Sequence, residues 1–173
     1  MLFSAERLGK KSPPGFTTVD PGQPIPDALS HLIDCHTRIE QRLEILETAV
    51  PRLGAATAEK REEAREVVDR ALKFLSEMGH LHTVDEEETL FPRLRASAKA
   101  KDLELPELAE ALEAQHRQKE AVLTELLALV EALPPATEAP TPDRVSRLDG
   151  YAAQLAGLYR PHIMLENNRL IPL

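Results

Sequence analysis

The chain has 173 residues, of which 42% are apolar and 29% are charged, and this composition is typical of a soluble globular protein with one domain. Its 29 acidic residues outnumber 21 basic ones, which argues against general charge-driven binding to nucleic acid or anionic membranes. The single cysteine, Cys35, excludes intrachain disulfides, thiolate-zinc cages and iron–sulfur clusters, and it fits a reducing, cytoplasmic setting. No apolar run approaches the length of a membrane span. Charged residues occur near the N-terminus before any apolar run develops, so no signal peptide is predicted.

Prolines divide the sequence into an N-terminal tail and four helical blocks. Residues 1–25 are rich in Pro and Gly and predict an extended tail. From residue 26 onward, apolar residues recur at spacings of three and four, so residues 26–173 are predicted to form an all-α, up-down-up-down four-helix bundle. The helices are expected from Pro26 to about Leu53, from a Thr57 cap to Leu90 before Pro92, from Pro106 to Pro134, and from Thr141 onward. Either the second helix overhangs the first, or residues 51–57 form more than a tight turn.

Four histidines on the predicted buried stripes form an internal repeat. They are spaced 46, 34 and 46 residues apart, and each is followed four residues later by a glutamate. The second and fourth helices also share the pattern His-x-x-x-Glu-x-x-x-Leu-(Phe/Ile)-Pro, which indicates a duplicated helical hairpin. The four pairs are His36 and Glu40, His82 and Glu86, His116 and Glu120, and His162 and Glu166. The remaining histidines, His31 and His80, lie on polar faces and are predicted to be solvated.

A histidine and a glutamate four residues apart on a helix direct an imidazole nitrogen and a carboxylate toward one point. One such pair is usually a surface ion pair, and a lone histidine on an apolar stripe is usually a packed core residue. Four pairs in one small bundle would be costly to bury without a cation. Two facing helices with these pairs can hold two cations, and imidazole with carboxylate suits iron, with zinc or manganese as substitutes. The pattern therefore favours a dinuclear non-haem site over a metal-free helical interaction module.

These motifs resemble the hemerythrin-like (HHE cation-binding) family over about residues 26–173. The resemblance rests on a histidine in Asp34-Cys35-His36, on H-x-x-x-E followed by Leu-Phe-Pro, on a third-helix histidine, and on a second H-x-x-x-E. It implies a four-helix bundle that holds two iron ions with an oxo or hydroxo bridge. The implied ligands are His36 and His82 for one iron, His116 and His162 for the other, and Glu86 and Glu166 as bridges.

The chain departs from the resembled family at two places. Oxygen-carrying hemerythrins have a fifth histidine where this chain has Glu120, and relatives that repair iron–sulfur centres have an early helix-two histidine with no match here. These departures argue against reversible dioxygen carriage and against that repair role. Glu120 and Glu40 are candidates either for oxygen ligation or for bonding the second nitrogen of a ligand histidine. Tyr159, one turn before His162, is either a core residue or a phenol that bonds near the metals.

We therefore expect a cytoplasmic di-iron protein that reacts with or senses dioxygen, peroxide or nitric oxide. The sequence does not decide whether the protein is an enzyme. The alternative to a protein that reacts with these molecules is a non-catalytic iron or oxygen sensor or store that acts through a partner protein. The expected ligands are small diatomic molecules or peroxide, with neither nucleic acid nor membrane as a partner. Leu81, Val84 and Leu158 lie outside the stripes and are candidates for a homodimer face. Cys35 is next to His36 but off its stripe, and it is expected to be a passive small residue.

Overall fold

The computed structural model describes residues 28–97 and 104–171, and every regular element within them is helical. The α-helices are α1 (Ala28–Ala49), α2 (Ala58–Asp85), a short α3 (Phe91–Ala96), α4 (Leu105–Glu131) and α5 (Pro142–Arg169). The predicted all-helical fold is therefore confirmed for this part of the chain. The predicted tail over residues 1–25 and the expected helix start at Pro26 lie outside the described residues. No helix described here is long and apolar enough to cross a membrane.

The predicted Thr57 cap is present, and Thr141, where the fourth helix was expected to begin, caps α5 in the same way. The Thr57 hydroxyl accepts a hydrogen bond from the Lys60 N–H at 3.4 Å, and the Thr141 hydroxyl accepts one from the Arg144 N–H at 3.3 Å. These bonds satisfy backbone donors that a first helical turn leaves without partners. Between α1 and α2, Val50–Gly54 form a 3₁₀ helix, so this connection is more than a tight turn.

The expected end of the second helix before Pro92 is wrong. The chain continues from α2 through a π-helical turn, Glu86–Leu90, directly into α3. The Phe91 N–H bonds to the Glu86 carbonyl five residues earlier, and Pro92, which has no N–H to donate, follows as the second residue of α3. The repeated segment at the end of α5 makes the equivalent bond: the Ile171 N–H donates to the Glu166 carbonyl, five residues earlier, at 3.0 Å.

Two apolar clusters pack inside the bundle, and the predicted ligand residues lie between them along the helices. Along the continuous segment from α2 to α3, His82 falls between Leu75 of the larger cluster and Phe91 of the smaller one. On α4, His116 falls between Leu112 of the smaller cluster and Val122, which belongs to the larger one. The fold therefore places a buried polar layer between two apolar layers, where water is excluded from both sides.

The long helices pack side by side, with α1 against α2 and α5, and α4 against α5 and α2. Between α1 and α5, side-chain hydrogen bonds join His36 with Asn167 and Glu47 with Arg160. Later residues of α1 thus meet earlier residues of α5, which favours opposite directions for these two helices. The up-down-up-down order of the whole bundle stays a prediction.

The residues suggested for a homodimer face differ in their exposure. Leu158 packs against the larger apolar cluster, whereas Leu81 is 51% exposed and Val84 is half-buried. Leu158 therefore has a place in the core of the single chain, and the homodimer stays a prediction.

Candidate metal centre

Six of the sequence-predicted ligand residues converge in the buried polar layer. Their donor atoms form two groups, and within each group all atoms lie within 4.8 Å of one another. Every one of these six side chains is 5% exposed or less. One group consists of His36, His82, Glu86 and Glu166, and the other of His116, His162, Glu86 and Glu166. We call these six residues the His–Glu cluster.

Glu86 lies between one histidine of each group. Its Oε1 is 3.4 Å from His82 Nε2, and its Oε2 is 3.2 Å from His116 Nε2. Glu86 is also the first residue of the π-helical turn, a feature that often occurs at functional sites. The two oxygens of one carboxylate thus face the two separate groups.

Glu166 is the counterpart of Glu86 in the second hairpin of the repeat, and it lies in the same way between one histidine of each group. Its Oε2 is 3.0 Å from His36 Nε2, and its Oε1 is 2.8 Å from His162 Nε2. Both carboxylates are therefore shared between the groups, and each group consists of two imidazole nitrogens and two carboxylate oxygens.

The second ring nitrogen of three cluster histidines is fixed by a hydrogen bond to another helix or to the π turn. The Nδ1–H groups of His36, His116 and His162 donate to Asn167 Oδ1 at 2.8 Å, Glu87 Oε1 at 2.7 Å and Gln115 Oε1 at 2.9 Å, respectively. Because these partners accept through oxygen, the neutral rings have their proton on Nδ1. Each Nε2 then directs a lone pair into the cluster, as metal-binding histidines do.

The contact between the His116 and His162 rings would be stabilised by a cation between them. Their Nε2 atoms are 3.1 Å apart. Burial lowers the pKa of both imidazoles, that of His162 to about 4, so both rings are neutral near pH 7. With both protons on Nδ1, the facing Nε2 atoms have no proton to share and cannot form a hydrogen bond. A cation held by both lone pairs would replace this repulsion with two ligand bonds.

Other buried atoms of the cluster also lack hydrogen-bond partners. They are His36 Nε2, His82 Nε2 and both side-chain oxygens of Glu86 and Glu166. His36 Nε2 lies 3.0 Å from Glu166 Oε2. Burial acts to lower the pKa of His36, but this carboxylate outweighs burial and raises it, so a positive charge is favoured at this point of the cluster. Each unsatisfied buried polar atom costs about 1–3 kcal/mol, so the cluster is unfavourable unless a positive charge occupies it.

The carboxyl groups show the same need for positive charge. Burial and the neighbouring Glu166 raise the pKa of Glu86 well above its usual value. Burial acts on Glu166 too, but its contacts with His162 and His36 outweigh burial and hold its pKa well below the usual value. Without a cation, Glu86 is therefore the carboxyl of the pair that holds a proton, and binding of a cation would displace that proton.

The geometry of the cluster suits metal ions. Two ligand atoms about 2.1 Å from a common cation and at right angles to each other lie about 3.0 Å apart. The nitrogen–oxygen separations in the cluster are 2.8–3.4 Å. Imidazole nitrogen and carboxylate oxygen together suit iron, manganese and zinc. The described residues that could hold these ions are the six members of the His–Glu cluster.

The structure does not bring the other two candidate ligands into the cluster. Glu40 is half-buried at the side of the bundle, where its Oε2 lies 3.5 Å from Arg160 Nε. Glu120 is exposed, because the buried face of α4 continues from His116 through Lys119 rather than through the position four residues on. Neither residue bonds the second nitrogen of a cluster histidine. His31 and His80 are exposed, as predicted.

Two features of the site were not predicted from the sequence. One is the set of hydrogen-bond acceptors that orient the histidines, and the other is a buried lysine. The acceptors are Asn167, Glu87 and Gln115, each an immediate chain neighbour of a cluster residue on a different helix from the histidine that it bonds. A polar residue beside a predicted ligand was the available signal. Lys119 is 3% exposed, and its spacing of three residues from His116 was the only indication that it shares that face.

Two cavities reach the cluster from outside. The first has a volume of about 170 Å³ and is lined by His116, Lys119, Tyr159 and a mixture of polar residues and leucines of α2 and α4; we call it the Lys119 cavity. The second, of about 220 Å³, is lined by Cys35, His82, Glu86 and neighbours that are mostly polar or charged. Each cavity therefore reaches a histidine of a different donor group.

Tyr159 and Cys35 occupy the walls of these cavities. Tyr159 is 5% exposed and belongs to the larger apolar cluster, and burial raises its pKa to about 12. Cys35 is half-buried, with its Sγ 3.8 Å from His31 Nε2. Burial raises the pKa of the Cys35 thiol, which agrees with a passive rather than a reactive cysteine.

Comparison with known proteins gives one family match. A family model described as the hemerythrin HHE cation binding domain matches residues 27–173. No curated protein and no solved structure matches the chain. The matched range includes all six residues of the His–Glu cluster, so the family assignment and the geometry of the cluster indicate the same property, cation binding.

Proposed function

Because the chain belongs to the hemerythrin HHE cation-binding domain family, we propose that it is a non-haem di-iron protein that reacts with or senses dioxygen, peroxide or nitric oxide. The observation that carries this proposal is the pair of four-atom donor groups that share Glu86 and Glu166. Two groups that share both carboxylates fit two cations held close together better than one cation or none.

The proposed ligand roles follow the grouping. The imidazoles of His36 and His82 would hold one iron, and those of His116 and His162 the other. The carboxylates of Glu86 and Glu166 would bridge the two irons. Carboxylate oxygens favour iron in its higher oxidation state, which a protein needs if the metal is to be oxidised and reduced. Zinc or manganese can occupy the same donor atoms without that redox chemistry.

When bound, a pair of ferrous ions supplies two electrons to a small oxidant. The protein supplies the positions of the ligands and control over access. The Nδ1 hydrogen bonds hold three imidazoles in the orientation that presents Nε2 to the metals. The apolar layers on both sides keep bulk water away, and the two cavities admit small molecules only.

The proposal is tested by loading the protein with iron under anaerobic conditions and mixing it separately with dioxygen, hydrogen peroxide and nitric oxide in a stopped-flow spectrophotometer. We expect a rapid absorption change with at least one of the three. Loss of peroxide over many turnovers would identify an enzyme, whereas a single stoichiometric change would identify a sensor. Two bound irons that react with none of the three would contradict the proposal.

A matched pair of histidine variants checks that any reaction comes from the cluster. His82→Ala removes a buried donor, and His80→Ala removes an exposed imidazole two residues away. We expect His82→Ala to lose iron and His80→Ala to retain the iron content of the unmodified chain. Equal iron content in both variants would show that the iron is bound elsewhere.

A further inference from the structure

Lys119 is a buried lysine at the edge of the His–Glu cluster. Burial lowers its pKa to about 8, and the more distant carboxylates of Glu166, Glu86 and Glu87 oppose that shift. The Lys119 side chain is 3% exposed, and its Nζ lies 4.6 Å from the centroid of the Tyr159 ring. Among the described residues, this ring is the contact that Nζ makes, and no carboxylate lies within ion-pair distance of it. The face of an aromatic ring compensates only part of the cost of burying an ammonium group. Once cations neutralise the cluster carboxylates, the Lys119 ammonium is left able to attract another anion.

The Lys119 ammonium faces a cavity that leads to the His–Glu cluster. Lys119 follows His116 by three residues on α4, and Tyr159 precedes His162 by three residues on α5, so the Lys119–Tyr159 pair lies one helical turn from the facing histidines. The cavity of about 170 Å³ contacts His116, Lys119 and Tyr159 together. This volume is large enough for a few water molecules or one small ion.

The Tyr159 hydroxyl adds a hydrogen-bond donor to the same wall. It has no hydrogen-bond partner among the described residues, and burial keeps it protonated. Gly79 on α2 leaves the space that this hydroxyl occupies, because a Cβ at residue 79 would lie 3.1 Å from the Tyr159 oxygen. The cavity wall thus presents one positive charge and one O–H donor, a combination that recognises anionic oxygen.

The charge of the cluster also favours an anion there, and this step rests on the proposed function. Two divalent cations exceed the charge of the two shared carboxylates, Glu86 and Glu166, and the Lys119 ammonium adds to the excess. An exposed carboxylate, Glu120, lines the same cavity, but its exposure to solvent screens its charge. A neutral diatomic molecule would gain little from the ammonium, whereas an anion would be attracted.

We propose that the Lys119 cavity is a binding site for a small oxygen-bearing monoanion, of the size of formate or nitrite. The Lys119 ammonium and the Tyr159 hydroxyl hold the anion beside the metal position of His116 and His162. The cavity thereby selects charged ligands of the metal centre, and Lys119 is the residue that sets this preference.

The test measures binding of ¹³C-labelled formate to zinc-loaded protein by NMR line broadening. Zinc has no redox chemistry, so binding is separated from turnover. Lys119→Met removes the charge and keeps the length of the side chain, Lys119→Arg keeps the charge, and Lys73→Met is the control at an exposed lysine that pairs with Glu77. Formamide, the neutral molecule of nearly the same size, tests whether charge is what the cavity selects.

We expect Lys119→Met to weaken formate binding by about tenfold or more, while Lys119→Arg and Lys73→Met bind formate like the unmodified chain. We expect formamide to bind much more weakly than formate. Formate binding that Lys119→Met leaves unchanged, or formamide binding as strong as that of formate, would overturn the proposal. Because Lys119→Met replaces a buried unpaired ammonium with an apolar group, we expect the variant to fold.

Zinc content is measured first in every variant. A chain that retains no zinc would contradict the proposed function and not the anion site. In that case the comparison of Lys119→Met with the unmodified chain is made on metal-free protein, where loss of the ammonium must still weaken formate binding. Equal formate binding by these two metal-free proteins would overturn the anion site itself.

Discussion

Replacement of Glu87 by alanine tests whether the hydrogen bond to His116 tunes one of the two proposed metal positions. The His116 Nδ1–H donates to Glu87 Oε1 at 2.7 Å, the shortest of the three bonds that fix cluster histidines. A hydrogen bond to a charged acceptor is worth about 1.5–3 kcal/mol, and the 39% exposure of the Glu87 side chain moves the expectation to the lower end of that range. We expect a loss of about tenfold in metal affinity, or about 1.4 kcal/mol, at the position held by His116 and His162.

The assay is titration of zinc against a chelator of known affinity, which resolves two binding events if the positions differ. Glu87→Ala should weaken one event and leave the event assigned to His36 and His82 unchanged. Glu88→Ala removes the same charge from the adjacent exposed position and should weaken neither. Glu87→Gln keeps an acceptor oxygen and should lie between the two. If Glu87→Ala and Glu88→Ala behave alike, the bond to His116 does not tune the metal site.

Four further substitutions have expected outcomes. Glu40→Ala and Glu120→Ala should leave the number of bound metal ions per chain unchanged, measured by elemental analysis, because neither residue lies in the His–Glu cluster; a loss of metal in either variant would restore that residue as a ligand. Leu155→Ala, at a fully buried position of the larger apolar cluster, should lower the free energy of unfolding by about 2–5 kcal/mol in denaturant titrations. A loss well below that range would mean that the core there is loosely packed. Arg160→Met should cost less than about 1 kcal/mol near pH 7, since its pair with Glu47 is partly exposed. The hydrogen bond from Arg160 lowers the pKa of Glu47, so the pair stabilises the fold above the unfolded-state pKa of the carboxyl and loses that effect as pH falls through the folded-state pKa. The difference in stability between Arg160→Met and the unmodified chain should therefore shrink in acid, and a difference that grows in acid would refute this reading.

The six cluster residues could be predicted from the sequence because their constraints are local and repeated. The spacing of four between His82 and Glu86, and again between His162 and Glu166, places each pair on one helix face. The same interval of 46 residues then separates the histidines within both hairpins. Local geometry and internal symmetry predicted the four histidines and their glutamates. The resemblance to the hemerythrin-like family supplied the grouping of the histidines and the preference for Glu86 and Glu166 over Glu40 and Glu120.

The features that could not be predicted depend on how the helices are rotated against one another. Spacing alone places both Lys119 and Glu120 near His116 on α4, and only the packing of α4 against its neighbours decides that Lys119 is buried and Glu120 exposed. The same is true of Gln115, which bonds a histidine on α5. The continuation of the helix past Pro92 depends on a π-helical turn, whose hydrogen bond from Phe91 to Glu86 no periodicity of side chains indicates.

The most direct test of the central claim is the metal content of the chain after anaerobic loading with iron and removal of unbound metal. The two donor groups predict about two irons per chain in the unmodified protein. They also predict that Glu166→Ala, which removes the carboxylate shared by both groups, lowers the occupancy of both positions. A chain that retains no iron, or one whose iron content is the same in Glu166→Ala as in the unmodified protein, would contradict the assignment of the His–Glu cluster as a dinuclear metal centre.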